Sequence, residues 1–115
     1  MSIRVKRVYE AASPDDGYRV LVDRVWPRGI SKEQAVVDEW ARGLAPSTDL
    51  RRWFAHKPER FEEFRRRYRA ELGAHEAALE ALGDRGRKAT VTLVFGARDT
   101  EHNNAVVLAE LLETR

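Results

Sequence analysis

Two apolar runs constrain this chain most, Tyr18 to Val25 and Ala89 to Phe95. Each is short, dominated by β-branched and large apolar residues, and bounded by turn or charged residues. That is the pattern of a strand covered on both faces. Between them lie stretches with helical spacing. Phe61, Phe64, Tyr68 and Leu72 form one apolar stripe. Ala74, Ala78, Leu79 and Leu82 continue as a further helix toward Gly83, which has the position of a C-cap. Strands separated by helices pair in parallel, because a helical crossover brings the chain back to the same end of the sheet. The expected fold is therefore a single α/β domain over residues 1–115, with a small, mainly parallel sheet of three or four strands and helices packed on it.

The remaining elements follow from local signals. Ile3, Val5 and Val8, alternating with basic residues, predict a first strand over about 3 to 8. Ser13-Pro14-Asp15-Asp16-Gly17 reads as a turn before the second strand, 18 to 25. Ser31 and Gln34 have capping-box spacing and open a short helix. Val36 to Trp40 fits either a short strand or the end of that helix. A helix is expected over 48 to 55, another from Pro58, an interruption at Gly73, and a charged turn from Asp84 to Lys88. Asp99 or Thr100 would cap the last helix, whose apolar positions are Ala105, Leu108, Leu111 and Leu112.

Composition narrows the chemistry. The chain of 115 residues has no cysteine, which excludes disulfides, thiolate zinc sites and cysteine nucleophiles. Hydrophobic content of 43% and a net charge of +2 exclude a disordered, self-repelling chain. The N-terminus carries alternating charge instead of the apolar core of a signal peptide, and no apolar run approaches a membrane span. The expectation is a cytoplasmic protein without a membrane partner. No phosphate-cradling glycine loop, dinucleotide fingerprint or nucleophile elbow occurs, and no histidine pair has metal-ligand spacing. Neither a cofactor nor a metal is expected.

Both strong strands end in polar clusters, where α/β proteins place ligands. After the first come Asp23, Arg24, Trp26 and Arg28; after the second come Asp99, His102 and Asn103. Guanidinium groups bind phosphate or carboxylate through paired hydrogen bonds and stay charged when buried. Arg24 and Arg28 are therefore candidate anion ligands, Trp26 a candidate wall, and Asn103 with the last helix's N-terminus a further anion contact. His102, oriented by Asp99, is a candidate proton-transfer residue, since histidine titrates near neutrality. The partner this predicts is a small anionic ligand, with catalysis open. The structural alternative is that Arg24 pairs with Asp23 or Asp99, Trp26 is core, Asp99 only caps a helix and His102 bonds within its loop. His56 reads as a helix-end histidine.

Arg65-Arg66-Arg67-Tyr68-Arg69 invites a second functional reading, a nucleic-acid or protein interaction module on a helix around 60–69. From Lys57 to Glu71, however, six basic residues are interleaved with four acidic ones. Phosphate backbones need a coherent positive face, so nucleic acid is disfavoured. The sequence does not specify an oligomeric state.

With these residues in view, the chain resembles a bacterial family of unknown function, the YeaO-like proteins. The resemblance rests on Val22-Asp23-Arg24-Val25-Trp26-Pro27-Arg28-Gly29, Leu44-Ala45-Pro46-Ser47 and Arg52-Trp53-Phe54-Ala55-His56. It continues through Phe64 with Tyr68, Glu71-Leu72, Thr92-Leu93, and Asp99 with Glu101-His102-Asn103. These pieces cover nearly the whole chain in order. The resemblance implies a compact cytoplasmic α/β domain and supplies no reaction. No helix-turn-helix with a basic recognition helix accompanies it.

Overall fold

A computed structural model describes all residues, 1–115. Four strands, β1 (Ile3–Arg7), β2 (Tyr18–Leu21), β3 (Glu39–Trp40) and β4 (Val91–Phe95), form one sheet in the order β1-β4-β2-β3. Every pairing is parallel. The helices are α1 (Lys32–Ala35), α2 (Thr48–Phe54), α3 (Phe61–Leu72), α4 (Glu76–Lys88) and α5 (Asn104–Glu113). The radius of gyration is 13.2 Å, which matches about 13 Å for one folded domain of this length. No helix is long and apolar enough to cross a membrane.

Register divides the sheet into two unlike faces. Val91, Leu93 and Phe95 align with Ile3, Val5 and Arg7 on one side and with Tyr18 and Val20 on the other. This face joins Phe54, Phe61, Phe64, Tyr68, Leu79 and Leu108 in the main core. The opposite face carries Thr92 and Val94 beside Arg19 and Leu21. It is covered by a thin layer in which Val8 and Ala35 pack with Trp26, Ile30 and Trp40. Its polar half is satisfied internally: Arg19, 2% exposed, bonds Asp16 at 2.6 Å and the carbonyls of Ala35 and Val36. Burial alone would raise the Asp16 pKa. The Ser13 N–H, Lys6 and Arg19 together hold it below the ordinary carboxylate value.

Several boundaries differ from expectation. β2 ends at Leu21, not Val25, because the Asp23 carboxylate takes the Gly96 N–H at 2.8 Å and replaces the next rung of the ladder. Val25 is exposed. Helix α4 runs through Gly83 and absorbs the residues expected to form a charged turn. Gly86 in that last part lies against Ile3 so closely that a Cβ would come within 2.4 Å of its Cδ1. Gly73 does end α3. Residues 36–40 resolve into a left-handed Val36, φ 50°, that stops α1, followed by β3. The Ser31–Gln34 capping box forms as its spacing implies.

Candidate functional site

The polar clusters after β2 and β4 share one cavity of about 350 Å3. Adjacency of these two strands in the sheet is the cause: their C-terminal ends open side by side. Arg24, Trp26, Arg28, His102 and Asn103 all line the cavity, and Asp99 stands behind His102. The lining also contains Asp23, Arg51, His56 and Asn104, none of which the sequence assigns to the anion site.

Asp23 joins the two strand ends to α5. Its Oδ2 accepts the Gly96 N–H, and its Oδ1 accepts from Asn104 Nδ2 at 3.2 Å. Asn104 also donates to the Val22 carbonyl at 2.9 Å. Burial pushes the Asp23 pKa up, against the pull of the Gly96 N–H, Asn104 and the nearby Arg51 and His56. Asp23 is the only acidic residue in the lining.

Arg24 pairs with neither Asp23 nor Asp99. Its Nε donates to the Pro46 carbonyl at 3.0 Å and its Nη2 to the Ala45 carbonyl at 3.3 Å. The same loop is held from α3. The Tyr68 hydroxyl, fully buried, donates to the Leu44 carbonyl at 2.5 Å. Glu71 accepts from the Ser47 N–H at 2.8 Å and from its hydroxyl at 2.6 Å. Three side chains thus fix Leu44 to Ser47, and Pro46 of this loop is cavity wall. Arg24 builds the site, and its charge stays in the lining.

Arg28 is exposed and makes no side-chain hydrogen bond or ion pair; only its carbonyl is engaged, accepting from Tyr9 Oη at 2.6 Å. Arg51, at the cavity from α2, is likewise without a side-chain partner. His56 reaches the lining through two successive left-handed residues, Ala55 (φ 49°) and His56 (φ 56°). Such a pair of non-glycine residues is uncommon and costs about 1–2 kcal/mol per residue. Sequence periodicity places Arg51 within a helix and His56 just after it, but not beside Asp23. Trp26 has a double character: it lines the cavity, yet its Nε1 donates to the Ile30 carbonyl and its ring meets Trp40 edge-on at 5.4 Å.

The second cluster is built by two local caps. Asp99 Oδ1 accepts the N–H groups of Glu101 and His102, both at 2.9 Å. With that turn closed, Asn103 and not Asp99 or Thr100 caps α5, accepting the Val106 N–H at 3.0 Å. Asn103 is 2% exposed and also donates to the Asp99 carbonyl, so its part in the cavity is mainly structural. His102 Nδ1 lies 2.9 Å from Asp99 Oδ2, and its ring stands edge-on to Phe61 at 5.1 Å. An Nδ1–H given to the carboxylate leaves Nε2 as an acceptor. The Glu101 N–H, then His102, hold the Asp99 pKa below its ordinary value. No group of three or more acidic, histidine or cysteine side chains is arranged to hold a metal.

The arginine-rich part of α3 is heavily paired. Arg66 and Arg67 both bond Glu63, whose carboxyl they pull down to about 2. Arg65 bridges Glu62 and, at 3.0 Å, Glu110. Glu62 thus pairs with Arg65 three residues on, and Glu63 takes both Arg66 and Arg67. Arg60 and Arg67 lie over the Trp53 ring at 5.2 and 4.4 Å.

Comparison with known proteins gives a match to the family described as "Inactive DUF488-N3 subclade" over residues 2–115. The chain belongs to that family. "Uncharacterized protein YeaO" of Escherichia coli (strain K12) is 45% identical over 114 residues, covering 99% of each chain. "Uncharacterized protein Rv3073c" of Mycobacterium tuberculosis (strain ATCC 25618 / H37Rv) is 49% identical over 114 residues, 98% of this chain and 95% of the relative. "Uncharacterized protein Mb3100c" of Mycobacterium bovis (strain ATCC BAA-935 / AF2122/97) matches to the same extent. The YeaO-like resemblance read from the Asp-Arg-x-Trp-Pro-Arg-Gly stretch therefore holds over nearly the full length. No solved structure matches the chain.

Proposed function

We propose that this protein binds a small anionic ligand, bearing phosphate or carboxylate, in the cavity between the ends of β2 and β4. The observation that carries the reading is the pair Arg28 and Arg51: two arginines in one concave lining, neither hydrogen-bonded nor ion-paired to a protein side chain. Arg24 adds a third charge while holding the wall. His102 supplies Nε2 at the rim, with Asp99 fixing the ring, and Asn103 and Asn104 bring the N-terminus of α5 to the same opening. A helix N-terminus favours an anion. The apolar part, Pro27, Pro46, Phe54 and Phe64, would cover the body of the ligand.

The Asp99–His102 pair would transfer a proton if the ligand carried one to move. The family description reads "inactive", which favours binding without turnover. An interaction module on α3 is the weaker reading, because ion pairs with Glu62, Glu63 and Glu110 neutralise much of its positive charge.

A thermal-shift panel of small phosphates and carboxylates tests the proposal. A ligand that prefers the native state raises the melting temperature as its concentration passes Kd. The expected result is a concentration-dependent rise that Arg28→Ala abolishes. A panel with no rise, or a rise unchanged in Arg28→Ala, refutes it.

A further inference from the structure

The lining carries a charge pattern that narrows the ligand class. Three arginines, Arg24, Arg28 and Arg51, face one acid, Asp23. Before either imidazole is protonated, this leaves two uncompensated positive charges. No other acidic side chain lines the cavity to cancel them, since Asp99 is outside the lining and engaged by His102. A monocarboxylate would leave one charge unmatched inside a partly desolvated hollow. A phosphate monoester carries nearly two negative charges at neutral pH and offers three acceptor oxygens, enough for the two unpaired guanidinium groups and an imidazole.

Asp23 makes the opposite demand. Each of its oxygens accepts one hydrogen bond from the protein, Gly96 N–H on Oδ2 and Asn104 on Oδ1. An ionised carboxylate has about four acceptor positions, so each oxygen keeps capacity for another donor. A ligand that brought only acceptors would set its charge against this group. One that also carried a hydroxyl or amino group would satisfy it. The volume, about 350 Å3, lies near the lower end of the roughly 300–1,000 Å3 range for small-molecule sites, which suits a compact metabolite and not a dinucleotide.

Resting on the anion-binding reading above, we infer that the ligand is a small phosphate monoester bearing a hydroxyl or amino donor. Its phosphoryl group is held by Arg28 and Arg51 with His56, and its donor by Asp23. Arg51 and His56 are thereby binding residues. The left-handed pair at Ala55 and His56 sets the imidazole at this opening.

Calorimetric titration at pH 7.5 with four probes tests the inference: glycerol 3-phosphate, ethyl phosphate, glycerate and inorganic phosphate. Ethyl phosphate lacks the hydroxyl donors; glycerate keeps them and carries a single charge. Glycerol 3-phosphate should bind about tenfold or more tighter than glycerate, and measurably tighter than ethyl phosphate. Arg51→Ala, at an exposed and unpaired position, should fold normally and lose most of that preference. Glycerate binding as tightly as glycerol 3-phosphate overturns the phosphate assignment while leaving anion binding intact. Ethyl phosphate equalling glycerol 3-phosphate removes the Asp23 role. Unchanged affinity in Arg51→Ala removes that residue. Failure of every probe overturns both this inference and the broader reading.

Discussion

Replacing Arg24 with alanine should destabilise the fold, whereas replacing Arg28 in the same motif should not. Arg24 donates two hydrogen bonds, to the carbonyls of Ala45 and Pro46. Both acceptor residues are buried. A hydrogen bond from a charged group contributes about 1.5–3 kcal/mol, and a buried carbonyl left unpaired costs about 1–3 kcal/mol. Arg24 is only partly buried, so water replaces part of the loss, and about 1.5–3 kcal/mol in total is expected. Unfolding entropy of about 2.1 cal/mol/K per residue converts 1 kcal/mol into roughly 4 °C for a chain of this size. Arg24→Ala should therefore lower Tm by about 6–12 °C. Arg28 has no side-chain partner, and its alanine variant should stay within about 0.5 kcal/mol of the parent. Urea denaturation and calorimetry on the two variants measure the contrast. A melting point for Arg24→Ala within about 2 °C of the parent, or an equal fall in both variants, refutes the assignment of Arg24 to the Leu44–Ser47 loop.

Two further outcomes test the surroundings of the site. Tyr68→Phe keeps the ring packing but leaves the Leu44 carbonyl without its donor; it should cost about 1–3 kcal/mol by urea denaturation, and less in an Arg24→Ala background if both hold one loop. Asp16→Asn leaves Arg19 buried without its charge partner and should cost about 3 kcal/mol at pH 7. Because the folded Asp16 pKa lies below its ordinary value of 3.8, the folded state holds that proton less tightly than the unfolded chain. The stabilisation is full above that value and is lost as pH falls through the folded pKa. The gap between parent and Asp16→Asn should therefore narrow below about pH 4; a gap that stays constant into acid excludes the buried pair as its source.

The division of roles within one motif explains what was readable and what was not. Asp-Arg-x-Trp-Pro-Arg-Gly marks a polar turn after a strand, and residue type alone says that an arginine there needs an anion or an acceptor. It does not say which. Arg24 meets two carbonyls supplied by a loop more than twenty residues away in sequence, while Arg28 meets none. Likewise, Asp99 looked like the cap of α5 because capping residues are recognised by type and offset. Asn103 has the same chemistry and won the position once Asp99 closed the turn at Glu101 and His102.

The amino-acid sequence by itself determined the alternation of buried strands with amphipathic helices, and with it a parallel α/β sheet; these are consequences of periodicity and local capping, which act over a few residues. It also marked the polar residues at both strand ends, since charge and turn chemistry are local as well. Only the tertiary structure decided that β2 and β4 are neighbours, that their ends open into one cavity, and that Arg51 and His56 stand in its lining. Strand order and side-chain convergence depend on which surfaces bury best against each other across the whole chain, and no window of sequence contains that information.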